Sequence, residues 1–224
     1  MTGFASPNCG ERRGGARPDL IVIHYTAMTS MAEARARLCD PAHEVSAHWL
    51  VSEAGDTEQL VDEALRAWHA GAGQWGAVTD VNSRSIGIEL ANTGSQPFAE
   101  PQMAALERLL AGIMARWGIV PERVIGHSDM APARKSDPGA RFDWARLARQ
   151  GLSVWPDAGH LGDPARFTAD LNRFGYPDTA DDLLLRAFRL RFRPWARGPL
   201  DPVDAAMAAD LARRFPVDAG LPPS

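Results

Sequence analysis

The sequence predicts an α/β fold, strands and helices arranged around one sheet, followed by a small all-helical unit. Three observations predict it. Leu20 to His24, "LIVIH", is an unbroken apolar run closed by a polar residue, the pattern of a strand buried on both faces. Ser85 to Asn92, "SIGIELAN", alternates: Ile86, Ile88 and Leu90 face one way, Gly87 and Glu89 the other. Past Pro164 only short helical patterns remain, around "ARFTADLNRFG", "TADDLLLRAFRLRF" and "DPVDAAMAADLARRF".

The elements follow in order. The N-terminal "MTGFASPNCGERRGGARPDL" has Pro, Gly and Arg where a signal peptide would be apolar, and no later stretch reaches the length of a membrane span. The expectation is a cytoplasmic protein without membrane insertion, or a periplasmic or extracellular one if a signal has been removed. His24 closes the first strand. Ser30 and Glu33 have capping-box spacing and open a helix over "SMAEARARLC". "AHWLV" and "EQLVD", joined by "SEAGDT", predict a hairpin that turns at Gly55. In "PQMAALERLLAGIMARWG", Met103, Leu106, Leu110, Ile113, Met114 and Trp117 keep the helical period, with Pro101 in the first turn and Gly118 as the C-terminal cap. The Gly- and Pro-rich "LSVWPDAGHLGDP" then marks a boundary, giving a domain over 1–155 and a helical unit over 164–220.

Composition narrows the functional classes. The chain has 224 residues, 45% of them hydrophobic and 23% charged, enough to bury a substantial core. Its net charge of -4 and lack of a Lys/Arg block exclude the basic footprint of a nucleic-acid binder. Two cysteines, Cys9 and Cys39, do not make a disulfide framework, and reduced thiols account for them.

The chemistry concentrates in Val124 to Gly139, "VIGHSDMAPARKSDPG", where Pro132 and Pro138 are expected to keep the segment from becoming helix. A catalytic zinc takes three His or carboxylate ligands and leaves a position for water. His24, His127 and Asp137 form a candidate set: His24 ends a buried strand, His127 follows the apolar "RVIG", and Pro138 biases Asp137 toward extended backbone. Extended geometry also puts Lys135 on the same side as Asp137. Glu89, leaving its strand opposite the apolar face, is the candidate proton carrier. The bland alternatives are a structural histidine at a strand end and a solvated glutamate.

At these residues the sequence resembles the zinc-dependent N-acetylmuramoyl-L-alanine amidases of the type 2 family, whose fold is similar to that of peptidoglycan recognition proteins and T7-type lysozyme. The matching pieces are "IVIHYT", "SAHWLVSEAGDTEQLVDEALRAWHAG", "NSRSIGIELAN" and "GHSDMAPARKSDPGARFDW", in the family's order, over roughly Leu20 to Leu147. The resemblance implies a central mixed β-sheet flanked by helices and one Zn²⁺ per chain. It puts His24, His127 and Asp137 on the metal, Glu89 at the catalytic glutamate and Lys135 at the lysine before the ligand aspartate.

The implied reaction is hydrolysis of the amide between N-acetylmuramic acid, or its 1,6-anhydro form, and L-alanine. Its partners are peptidoglycan fragments in wall recycling or, alternatively, intact peptidoglycan. A non-catalytic binding protein of this fold would have a substituted ligand. Tyr25, His69 and Asn82 are expected at the substrate, with packing beside Trp68 the alternative for His69 and a turn the alternative for Asn82. His48 is expected to be structural, His43 and His160 have no matched role, and Asp129 reads as a supporting residue and not a fourth ligand. The C-terminal unit resembles a three-helix peptidoglycan-binding module, and a packing appendage explains its apolar residues equally well.

Overall fold

Four parallel strands and one antiparallel strand form the sheet that carries this protein. The structure, a computed structural model, describes residues 5–159 and 162–218, so His160 lies outside it. The strands are β1 (Cys9–Gly10), β2 (Leu20–Tyr25), β3 (Trp49–Val51), β4 (Thr57–Gln59), β5 (Arg66–Ala67), β6 (Ser85–Leu90) and β7 (Val124–Gly126). The helices are α1 (Met31–Cys39), α2 (Val81–Arg84), α3 (Glu100–Trp117), α4 (His127–Met130), α5 (Trp144–Arg149), α6 (Phe167–Phe174), α7 (Asp181–Phe192) and α8 (Pro202–Arg214). The main sheet has the order β4-β3-β6-β2-β7; β3, β6, β2 and β7 are parallel, and β4 joins β3 antiparallel. This is the mixed sheet flanked by helices that the sequence led us to expect. β1 and β5 form a separate two-stranded ribbon.

Local chemistry sets the element ends. The Ser30 side chain accepts from the Glu33 N–H and starts α1. Gly118 closes α3 at φ 70°, a left-handed position that glycine takes at little cost. Gly55 turns the β3–β4 hairpin at φ 91°.

Period-2 alternation divides the sheet into two cores. Ile21, Ile23, Ile86, Ile88 and Leu90 pack against α3 and α5 through Met103, Leu106, Leu110, Ile113, Trp144 and Leu147. Leu20, Val22 and Ile125 face the other way, into a cluster with Trp75 and Met130 that also takes Phe167, Leu171, Phe174, Leu184, Phe188 and Phe192 from α6 and α7, and Met207 and Leu211 from α8. The three C-terminal helices therefore cover the second face of the sheet, and one apolar core runs across the boundary that composition suggests. Each large side chain so buried contributes roughly 1.5–3 kcal/mol.

One local expectation is corrected. Residues His127–Met130, where the prolines were expected to exclude helix, form a single helical turn, α4. Pro132 restrains the residue before it and leaves the earlier turn free to close, and the Asp129 carboxylate accepts the Gly126 N–H at 2.8 Å to cap it. No helix among the described residues is long and apolar enough to cross a membrane.

Candidate metal centre and active site

The parallel strands deliver three side chains to one edge. His24 lies near the C-terminal end of β2, Glu89 near that of β6, and His127 directly follows β7. Loops beyond the C-terminal ends of parallel strands are where α/β sheets place ligands. The β2–β6 register pairs His24 with Glu89, so the two side chains leave neighbouring strands on the same face. Asp137 comes back from the following loop, tied to α4 by a Ser128 N–H to Asp137 carbonyl bond of 2.9 Å.

His24, His127 and Asp137 form a tight triangle. Nδ1 of His24 lies 2.9 Å from Nδ1 of His127 and 2.9 Å from Oδ2 of Asp137, and Nδ1 of His127 lies 3.0 Å from that same oxygen. All three residues are buried. The hydrogen bonds behind the triangle determine where the ring protons sit. Nε2 of His127 is 2.9 Å from the Ala70 carbonyl oxygen, which only accepts, so in the neutral imidazole Nε2 carries the proton and Nδ1 is the bare nitrogen.

A longer relay fixes His24. The Ser85 hydroxyl donates to the Val81 carbonyl at 2.6 Å and therefore accepts from Nε2 of His69 at 3.1 Å. Nδ1 of His69, left without a proton, accepts from Nε2 of His24 at 3.0 Å. Nδ1 of His24 is bare as well. Two imidazole lone pairs and a carboxylate oxygen thus converge with no proton among them, an arrangement that calls for a cation and matches the ligand set of a catalytic divalent metal. Burial, and then the nearby His127, lower His24 to about 4, so it is a neutral imidazole at pH 7.

Glu89 behaves in the opposite sense. Burial first, and then the Asp137 charge, raise its carboxyl to about 8, while Lys135 pulls the other way. Its Oε2 is buried with no hydrogen-bond partner among the described residues. A cavity of about 370 Å³ opens over these groups, with Tyr25, Arg37, Trp68, Arg134 and Lys135 on its walls.

The sequence-derived candidates divide accordingly. His24, His127, Asp137, Glu89, Lys135 and Tyr25 all meet at this cavity, and the Tyr25 hydroxyl lies 3.2 Å from that of Ser136. His69 lines the same cavity, and its Nδ1 accepts from Nε2 of His24 at 3.0 Å. Asn82 is buried and its Oδ1 accepts the N–H groups of His69 and Ala70 at 3.0 and 2.8 Å, holding that backbone in place. His48 is structural, taking the Gly87 N–H on Nδ1 and donating from Nε2 to the Leu65 carbonyl. His43 is exposed beside Asp40.

Sequence reasoning missed Arg37 and Arg134 on the cavity wall, and Ser85 and Gly87 behind His69. Only Gly87 left a signal, a glycine inside a strand, which often marks a close approach. A Cβ there would lie 2.4 Å from the His69 ring.

A family model described as N-acetylmuramoyl-L-alanine amidase matches residues 14–140. The chain is similar to the N-acetylmuramoyl-L-alanine amidase AmiD of Escherichia coli (strain K12), 37% identical over 90% of this chain and 85% of AmiD. A solved complex of AmiD with the substrate anhydro-N-acetylmuramic acid-L-Ala-D-gamma-Glu-L-Lys superposes with a TM-score of 0.81 at 35% identity, covering 96% of this chain and 93% of the other. The 1,6-anhydro-N-acetylmuramyl-L-alanine amidase AmpD of Enterobacter cloacae is 32% identical over 63% of this chain and 85% of its own length. AMPDH3 of Pseudomonas aeruginosa, solved in complex with anhydromuramic pentapeptide, gives a TM-score of 0.81 at 32% identity and covers 92% of this chain and 95% of its own.

Proposed function

This chain belongs to the N-acetylmuramoyl-L-alanine amidase family, and from that premise we propose that it hydrolyses the amide between 1,6-anhydro-N-acetylmuramic acid and L-alanine in soluble wall fragments, with one Zn²⁺ held by His24, His127 and Asp137. The observation that carries the reading is the convergence of three lone pairs beside a carboxyl on the neighbouring strand. AmiD and AMPDH3, matched over nearly the whole chain, were solved with anhydromuramyl peptides.

Held by His24, His127 and Asp137, a zinc ion would supply Lewis-acid polarisation and would lower the pKa of a water toward roughly 7. The chain's own residues do the rest. Glu89 takes a proton from the attacking water and returns it to the leaving amine of L-alanine; general acid–base help of this kind is worth about 10²–10⁴-fold. Lys135 opposes the rise in the Glu89 carboxyl that burial and Asp137 cause, and so favours the ionised form a base needs. Lys135 brings a fixed positive charge to the oxygen of the tetrahedral intermediate, in a site where burial strengthens its effect. Tyr25 and Trp68 offer walls to the sugar and peptide, and Arg37 and Arg134 offer cations to the carboxylates of the stem. Cys9 and Cys39 are both free thiols, which suits a recycling enzyme of the reducing cytoplasm.

Zinc content and product analysis on a defined anhydromuramyl peptide test the reading. One zinc per chain, lost in His127→Ala, and release of the intact stem peptide are expected, with faster turnover of soluble fragments than of intact sacculi. Cleavage that survives removal of the metal, or release at another bond, defeats it.

A further inference from the structure

Asp129 and Arg191 form a fully buried ion pair that joins the C-terminal helices to the segment carrying two of the three metal-ligand candidates. Asp129 is 0% exposed and Arg191 2%. Oδ2 of Asp129 accepts from Nη1 of Arg191 at 2.8 Å and from the Gly126 N–H at 2.8 Å, and Oδ1 accepts from the Tyr176 hydroxyl at 2.6 Å. Arg191 continues the connection: its Nη2 donates to the Val124 carbonyl at 3.0 Å and to Ser153 Oγ at 3.2 Å. Its guanidinium also sits 4.4 Å from the ring centroid of Trp144, at the start of α5.

The position of Asp129 gives this network its consequence. It lies two residues beyond His127 on the one-turn helix α4. The Ser128 N–H binds the Asp137 carbonyl, so the same turn also locates the loop that bears Asp137. A four-residue helix has almost no intrinsic stability and takes its position from what holds it. Here it is held by Gly126 from within and by Arg191 and Tyr176 from the C-terminal unit.

We propose that Arg191 and Tyr176 are positioning residues for the metal site, and that the C-terminal helices set metal affinity by clamping α4 through Asp129. The proposal rests on the assignment of His24, His127 and Asp137 as ligands. The clamp fixes the separation of the His127 and Asp137 donors before metal arrives, so the metal does not have to order them. Burial, and the charge of Asp129, hold the Tyr176 phenol well above its usual range, so it remains a donor throughout.

Zinc affinity, measured by competition with a chromophoric chelator, tests the clamp. Removing one partner alone strands a buried charge and destabilises the fold, so the main variant is the double Asp129→Asn/Arg191→Met, which removes both charges together. Weakening of about 10–100-fold is expected, together with faster amide exchange over 127–137 in the metal-free protein. Tyr176→Phe, which deletes one hydroxyl, is expected to weaken zinc by about 3-fold or more, and carries the test alone if the double variant does not fold.

Met207→Ala, which opens a cavity in the same core from α8 and leaves every hydrogen bond of Asp129 in place, controls for general loosening and is expected to lose melting temperature with unchanged zinc affinity. Wild-type affinity in the folded double variant or in Tyr176→Phe overturns the proposal, as does an equal affinity loss in Met207→Ala. His127→Ala separates the two levels. If it keeps zinc, the ligand assignment itself has failed; if it loses zinc while the clamp variants do not, only the clamp has failed.

Discussion

Glu89 is the residue on which activity and stability pull in opposite directions. Its carboxyl is raised from 4.5 to about 8 in the metal-free fold, first by burial. Between those two values the folded chain keeps a proton that the unfolded chain releases. Stability is therefore fully present below the unfolded value and is lost as pH rises through the folded one. Glu89→Gln cannot ionise, so the metal-free variant should melt higher than wild type at pH 8, with a flatter profile between pH 5 and 8. The same substitution removes the proton carrier and should lower amide hydrolysis by at least about 100-fold with zinc retained. Thermal unfolding of metal-free protein and turnover of the loaded enzyme check the two halves. A variant that keeps full activity would remove Glu89 from the mechanism.

At the scale of elements, β6 shows how one strand serves two purposes. Ile86, Ile88 and Leu90 bind it to the α3 core, while Gly87 and Glu89 face the site. Gly87 leaves the space occupied by the His69 ring, and that ring holds His24 in the tautomer that presents Nδ1. Gly87→Ala should therefore act at a distance. The added methyl displaces His69, lowers stability by roughly 1–3 kcal/mol as overpacking does, and weakens zinc by about 10-fold or more through the lost support of His24. Melting temperature and chelator competition measure both; a fall in melting temperature with unchanged zinc affinity would show that the relay does not govern the ligand. β6 was legible in the sequence because alternation encodes which face is buried, and β2 because an unbroken apolar run marks burial on both faces; β1 and β5, two residues each, are too short to show either pattern. The single turn at α4 was not, because a turn that short is stabilised by a cap and by distant partners that leave no local period.

Over the whole molecule, the C-terminal helices close one of the two cores. A chain ending at Pro156 would open the cluster of Leu20, Val22, Trp75, Ile125 and Met130, which α6 to α8 complete. Expression of that fragment is expected to give aggregated protein, or protein without a cooperative melting transition; a soluble, zinc-loaded, active fragment would show that the sheet tolerates an open face. Buried histidines give the molecule an acid limit as well. Burial lowers His24 and His48 from 6.5 to about 4 each. As pH falls through that window the unfolded chain gains protons and the folded chain does not, so stability is present above 6.5 and lost toward 4. The metal-free protein should accordingly melt at progressively lower temperature from pH 6.5 to 4, as a pH series of thermal scans would register.

The sequence by itself determined β2, β6, the β3–β4 hairpin and the long helix, because hydrophobic period and turn chemistry are local properties; it offered the triad of ligand candidates and the glutamate beside it by residue type, and a family resemblance chose among the alternatives. Only the tertiary structure decided what stands behind them. Asn82 holds the His69 backbone, the His69 ring meets that of His24, and Arg191 reaches from the last helices to a turn more than sixty positions earlier. Such pairings depend on which surfaces meet when the sheet buries its second face, and residues brought together by that packing carry no mark of one another along the chain.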